Sequence, residues 1–73
     1  MAIEWRDVIS SNATQVGYDD ETGDMLVKWS KGNKISAYAG VPYDVFDKCA
    51  KAFSVGNFLN SEIKPNYRHR YVA

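Results

Sequence analysis

Two short stretches near the start of the chain alternate apolar and polar residues. Thr14-Gln15-Val16-Gly17-Tyr18 and Met25-Leu26-Val27-Lys28-Trp29 are rich in β-branched and aromatic side chains at period two, the pattern of half-buried strands. Between them, residues 19–24 (Asp-Asp-Glu-Thr-Gly-Asp) are turn chemistry, since Asp carboxylates cap local amides and Gly23 tolerates positive φ. A second turn at Gly32-Asn33 leads into Lys34-Ile35-Ser36-Ala37-Tyr38. The expectation is an antiparallel three-stranded meander, with Ile3 and Trp5 adding a fourth strand at the edge.

Pairing these hairpins assigns the faces. The first turn sets Tyr18 opposite Met25 and Val16 opposite Val27. A two-residue second turn sets Lys31 opposite Lys34, Trp29 opposite Ser36 and Val27 opposite Tyr38. One face then carries Val16, Tyr18, Met25, Val27, Trp29 and Tyr38 as core, with Ser36 among them. The outer face carries Leu26, Lys28, Ile35 and Ala37 and no aromatic residue.

Beyond Pro42, which suits a helix start, the period changes to that of a helix. Val45, Phe46, Cys49, Ala52 and Phe53 recur as one stripe, while Asp44–Lys48 and Asp47–Lys51 are i,i+4 pairs on the other side. Gly56 reads as the stop. Phe58, Leu59 and Ile63 predict a short second helix ended by Pro65. The architecture expected is α+β, a three- to four-stranded meander followed by one main and one short helix on one face. Trp29 and Phe53 are the expected anchors between the layers, and residues after Pro65 read as a tail.

Composition narrows the function. Seventy-three residues, 45% hydrophobic and 14% aromatic, make one domain with a small core. One cysteine, Cys49, allows no internal disulfide, and with the single histidine, His69, no usual zinc set. Cys49 lies on the apolar helical stripe and His69 in the tail, so neither reads as catalytic. No phosphate-binding glycine loop is present, and the acidic turn lacks the ligand spacing of an EF-hand. The expectation is therefore no enzyme, no metal and no cofactor. No membrane span is expected. The opening residues show no basic segment followed by an apolar one, which predicts no secretory signal and a reducing cytoplasm.

A net charge of zero conceals a split. Residues 1–25 hold six acids and one base, whereas residues 26–73 hold eight bases and three acids. Lys64, Arg68 and Arg70 interleave with Tyr67 and Tyr71, and Lys28, Lys31 and Lys34 add charge along one hairpin. Cations that pair phosphates beside rings that stack on bases are what a single-strand binder needs, although the sequence pI of 6.5 is lower than a basic binding domain normally shows. The alternative is a protein-interaction or self-associating module using Leu26, Ile35 and Ala37 on the outer face.

An ordered set of residues resembles a known family. Ser10-Ser11-Asn12, Gly17-Tyr18-Asp19, Gly23, Met25-x-Val27-x-Trp29, Gly32, Tyr38 and Val41-Pro42 are followed by Ser54-x-Gly56, Phe58, Asn60, Ile63 and Tyr67. Together they resemble the KTSC domain over residues 8–67, which makes 1–73 a single KTSC-like domain. That family takes its name from the C-terminus of some lysyl-tRNA synthetases and includes short stand-alone bacterial and phage proteins. The resemblance implies a small module suited to RNA. It also exposes a departure, because the family's central Tyr-x-Tyr is Ser36-Ala37-Tyr38 here.

Overall fold

The computed structural model describes residues 3–73; the first two residues of the N-terminal stretch weighed above as a signal lie outside the described residues. Four strands come first: β1 (Ile3–Asp7), β2 (Ala13–Asp19), β3 (Asp24–Trp29) and β4 (Ile35–Tyr38). Helices α1 (Tyr43–Ala50) and α2 (Val55–Phe58) follow, and α2 continues as a π-helical turn, Leu59–Ile63, in which the Lys64 amide donates to the Leu59 carbonyl. The chain then returns to the sheet as β5 (His69–Tyr71). The result is an α+β fold with a five-stranded antiparallel sheet in the order β1-β2-β3-β4-β5.

The predicted edge strand is β1, whose Trp5 pairs with Gly17. The first hairpin also has its predicted register, Tyr18 opposite Met25 and Val16 opposite Val27. Gly23 closes it at φ +78°, its amide donating to the Asp19 carbonyl at 2.8 Å.

The second hairpin corrects the sequence reading. Val27, not Trp29, stands opposite Ser36, and Met25 opposite Tyr38. The turn is longer than two residues because Ser30 is drawn away. Its amide donates to the Asn12 carbonyl at 2.9 Å and its hydroxyl to that of Ser11 at 3.0 Å. A slip of two residues leaves every side chain on its predicted face, so the core face survives the error.

Val16, Met25 and Val27 are fully buried against Phe46, Cys49, Leu59 and Ile63 from the helical layer. The Tyr18 hydroxyl donates to the Val41 carbonyl at 2.7 Å, tying β2 to the entry of α1. Phe46 carries the contact expected of Phe53, with its ring 5.4 Å from that of Tyr18. Phe53 itself is fully exposed, at 108%. The predicted stripe fails there because α1 ends at Ala50 and Ser54 turns extended, its side chain accepting the Asn57 amide as the N-cap of α2. Gly56 is consequently not a stop but lies inside α2, where a Cβ would meet Asn12 Nδ2 at 3.3 Å.

The C-terminal residues are not a tail. Ser36 pairs with Tyr71, Ala37 with Arg70 and Tyr38 with His69. Three residues without an apolar run give little periodicity, which is why β5 escapes a sequence reading.

Candidate binding cleft

The helices cover only part of the core face. Toward the β3–β4 hairpin it stays open, leaving a cleft of about 470 Å³. Its floor is Ser36, which has no exposed surface. The Ser36 hydroxyl accepts the Trp29 indole N–H at 2.7 Å and lies 2.8 Å from His69 Nε2, so one side chain joins three strands. The rings of Trp29 and Tyr71 contribute to the walls. The Lys64 ammonium sits 5.1 Å from the Trp29 ring centre, and that of Lys34 5.1 Å from the Tyr71 ring centre, distances at which cation and ring attract. Lys31 is a third cation, and no carboxylate lines the cleft. Burial, and then Tyr71, push the Tyr38 phenol above its ordinary pKa, so it faces the cleft as a neutral group.

The candidate residues thus divide. Lys31 and Lys34, close neighbours in the β3–β4 turn, converge with Lys64, which is remote from them in sequence. Strand alternation on β5 turns His69 and Tyr71 inward and Arg70 outward, where the Arg70 guanidinium bonds Asp24 at 2.8 Å. Lys28 belongs to the outer face, opposite Ile35. Tyr67 packs against the core, and Arg68 precedes β5 without lining the cleft. Trp29, Ser36, Tyr38 and His69 were missing from the candidate set. Trp29, Ser36 and Tyr38 read as core, and His69 as tail, so only an expected β5 would have joined them.

The outer-face alternative meets a covered surface. Trp5 lies across Gly17 so closely that a Cβ there would sit 2.7 Å from its ring, and Arg70 spans β4 to reach Asp24. Leu26 and Ala37 between them are 8% and 0% exposed; Ile35 is half-buried. The outer face therefore does carry an aromatic, Trp5.

Away from the cleft, two carboxylates converge on one arginine. Arg6 bonds Asp47 at 2.6 Å and Glu4 at 2.8 Å, tying β1 to α1. Arg6 and then Lys51 hold the Asp47 carboxyl below its ordinary pKa. Cys49 is fully buried, and burial pushes its thiol up to about 12. No described helix is long and apolar enough to cross a membrane.

Comparison with known proteins bears on the fold. No curated protein matches the chain. Among solved structures, the crystal structure of a KTSC domain protein from Yersinia pestis superposes with a TM-score of 0.89 at 25% identity, covering 99% of this chain and 100% of that one. The family model for the KTSC domain matches residues 9–67, from the loop after β1 to the residues before β5. With that span and that fold, the chain belongs to the KTSC domain family.

Proposed function

We propose that this domain is a non-enzymatic binding module that takes RNA or another single-stranded nucleic acid in the cleft between Trp29 and Tyr71. The observation that carries the reading is the convergence of Lys31, Lys34 and Lys64 with two accessible rings in a cleft without a carboxylate. A base stacked on an aromatic ring contributes about 1–3 kcal/mol. The lysines now lying over those rings would swing out to meet phosphates while the base takes their place. The zero net charge is compatible with this, because it is a sum over the whole chain, whereas the cleft lining carries three lysines and no carboxylate. We further place the protein in a bacterial or phage-infected cytoplasm, in keeping with the stand-alone members that the sequence resembles.

The test uses Trp5→Phe, which leaves Trp29 as the only indole. Titration with short RNA and single-stranded DNA should quench its fluorescence. Replacing Lys31, Lys34 and Lys64 by Ala should weaken binding across sequences and flatten its salt dependence by roughly 0.7 in slope per lost contact. Absence of binding at low salt, or binding indifferent to the three lysines, refutes the proposal.

A further inference from the structure

Two smaller hollows continue from the cleft, one beyond the other. The first, about 390 Å³, shares Trp29, Lys31 and Lys64 with it and extends to Asn12 and Asn60. The second, about 300 Å³, shares Ser11, Asn12 and Asn60 with the first and ends between Ile9 and Phe53. One groove therefore runs from Tyr71 to Phe53, formed by β5, the β3–β4 hairpin, the loop after β1 and α2 with its π-helical turn. No carboxylate lines any part of it, and its chemistry changes along its length. Cations and rings occupy one end. Neutral amides and hydroxyls occupy the other.

The neutral end has two properties that the fold does not require. The exposed side-chain amides of Asn12, Asn57 and Asn60 make no hydrogen bond among the described residues. An amide offers a donor and an acceptor side by side, the complement of a base edge. Ile9 and Phe53 are fully exposed, at 101% and 108%. Isolated exposed apolar residues are ordinary, but these two flank the same amide-lined hollow, and a ring in the open can stack on a base.

Resting on the single-strand reading above, we infer that the binding site is this whole groove and that base preference is read at its neutral end by Asn57 and Asn60, with Phe53 stacking. The cleft supplies sequence-independent affinity through phosphate and ring contacts, whereas the amides discriminate. Bases reach both amides and rings only when unpaired and splayed, so the occupant is a single strand. Its length is at the lower end for single-strand modules, about 4 nucleotides.

The experiment compares binding of A, C, G and U homotetramers to the wild type, to Asn57→Ala/Asn60→Ala, to Phe53→Ala and to Lys31→Ala/Lys64→Ala. All the replaced side chains are on exposed residues, and a thermal melt of each variant checks that the fold is kept. The wild type should prefer one base by about tenfold or more, as a good base contact provides. The double Asn variant should lose that preference while keeping its salt slope. Phe53→Ala should weaken all four tetramers several-fold, again at unchanged slope. The double Lys variant should keep the preference and lose slope. Tetramers that bind through the lysines but ignore the Asn and Phe53 changes overturn the groove and leave the cleft reading standing. No binding of any tetramer, or equal competition by a poly-glutamate peptide, overturns both.

Discussion

Ser36 Oγ lies 2.8 Å from His69 Nε2 while accepting the Trp29 indole N–H at 2.7 Å. Toward the β3–β4 hairpin no helix covers this floor, and the small Ser36 side chain leaves the space above it free. Ser36→Tyr should therefore place a phenol in a space of about 470 Å³ and reduce oligonucleotide binding at least roughly tenfold, the equivalent of losing one stacked base. A thermal melt checks that the fold is kept, because the substitution also removes the acceptor of the Trp29 indole. A Ser36→Tyr protein that binds as the wild type does would exclude the cleft. Ser36→Ala has a different signature, a loss of about 1 kcal/mol as the indole N–H loses its partner, seen in urea denaturation.

Phe46 and Phe53 should behave as opposites. Phe46 has no exposed surface and touches Tyr18 and Tyr43, so Phe46→Ala should cost about 3–5 kcal/mol. That is enough to unfold much of a domain this small. Phe53→Ala should change stability by less than about 0.5 kcal/mol. Paired thermal melts decide the matter, and a large loss at Phe53 would mean that the stripe of α1 continues past Ala50.

Cys49 should resist thiol reagents while the chain is folded. Its thiol is buried and carries a pKa of about 12, so almost no thiolate exists at neutral pH. Labelling should accelerate in denaturant in step with loss of the near-ultraviolet signal; fast labelling of native protein would contradict the burial. The same raised pKa has a thermodynamic consequence. Its contribution to stability is complete below the ordinary thiol value of 9.0 and is lost as pH rises from there toward 12. Cys49→Ala should flatten the alkaline limb of the stability curve, even if it lowers the plateau.

Asp47 supplies the acid limb. Beside Arg6 and Lys51 its folded carboxyl sits below the ordinary value of 3.8. The stability it contributes is present above that value and disappears as pH falls through the folded one. Asp47→Asn should reduce the loss of stability on acidification, measured by urea denaturation from pH 6 down to about pH 2, the range in which paired carboxylates titrate. An unchanged acid limb would show that the Arg6–Asp47 contact is not maintained in solution.

Periodicity made the first hairpin, the edge strand and the existence of two helical segments legible, because each has apolar residues at a regular spacing. It did not reveal where α1 stops. Phe53 fits the stripe by spacing, but the conformation at Ser54 overrides it, and capping there competes with continuation of the helix. The register of β3 and β4 was missed for a tertiary reason, the capture of Ser30 by the Ser11–Asn12 loop. Part of the site was visible as lysines. The rest was hidden because Trp29 and Ser36 lie on a face that is core at one end and open at the other, a distinction set by how far the helices reach.

The Arg70–Asp24 ion pair now takes on a further meaning. In β5, residues of two kinds alternate, His69 and Tyr71 toward the cleft and Arg70 away from it. A slide of one position along β4 would exchange them, replacing a ring and an imidazole by guanidinium groups and sending Tyr71 to the back of the sheet. Backbone bonds such as Val72 to Ile35 and Ala39 to Arg68 hold the two strands together, but they are indifferent to side-chain identity. Asp24, 8% exposed and fixed on β3, accepts Arg70 only in the present alignment. The salt bridge thus works as an indexing pin. It stands on the reverse of the sheet, yet together with the Ser36–His69 contact it holds the alignment that sets which chemical alphabet the front presents.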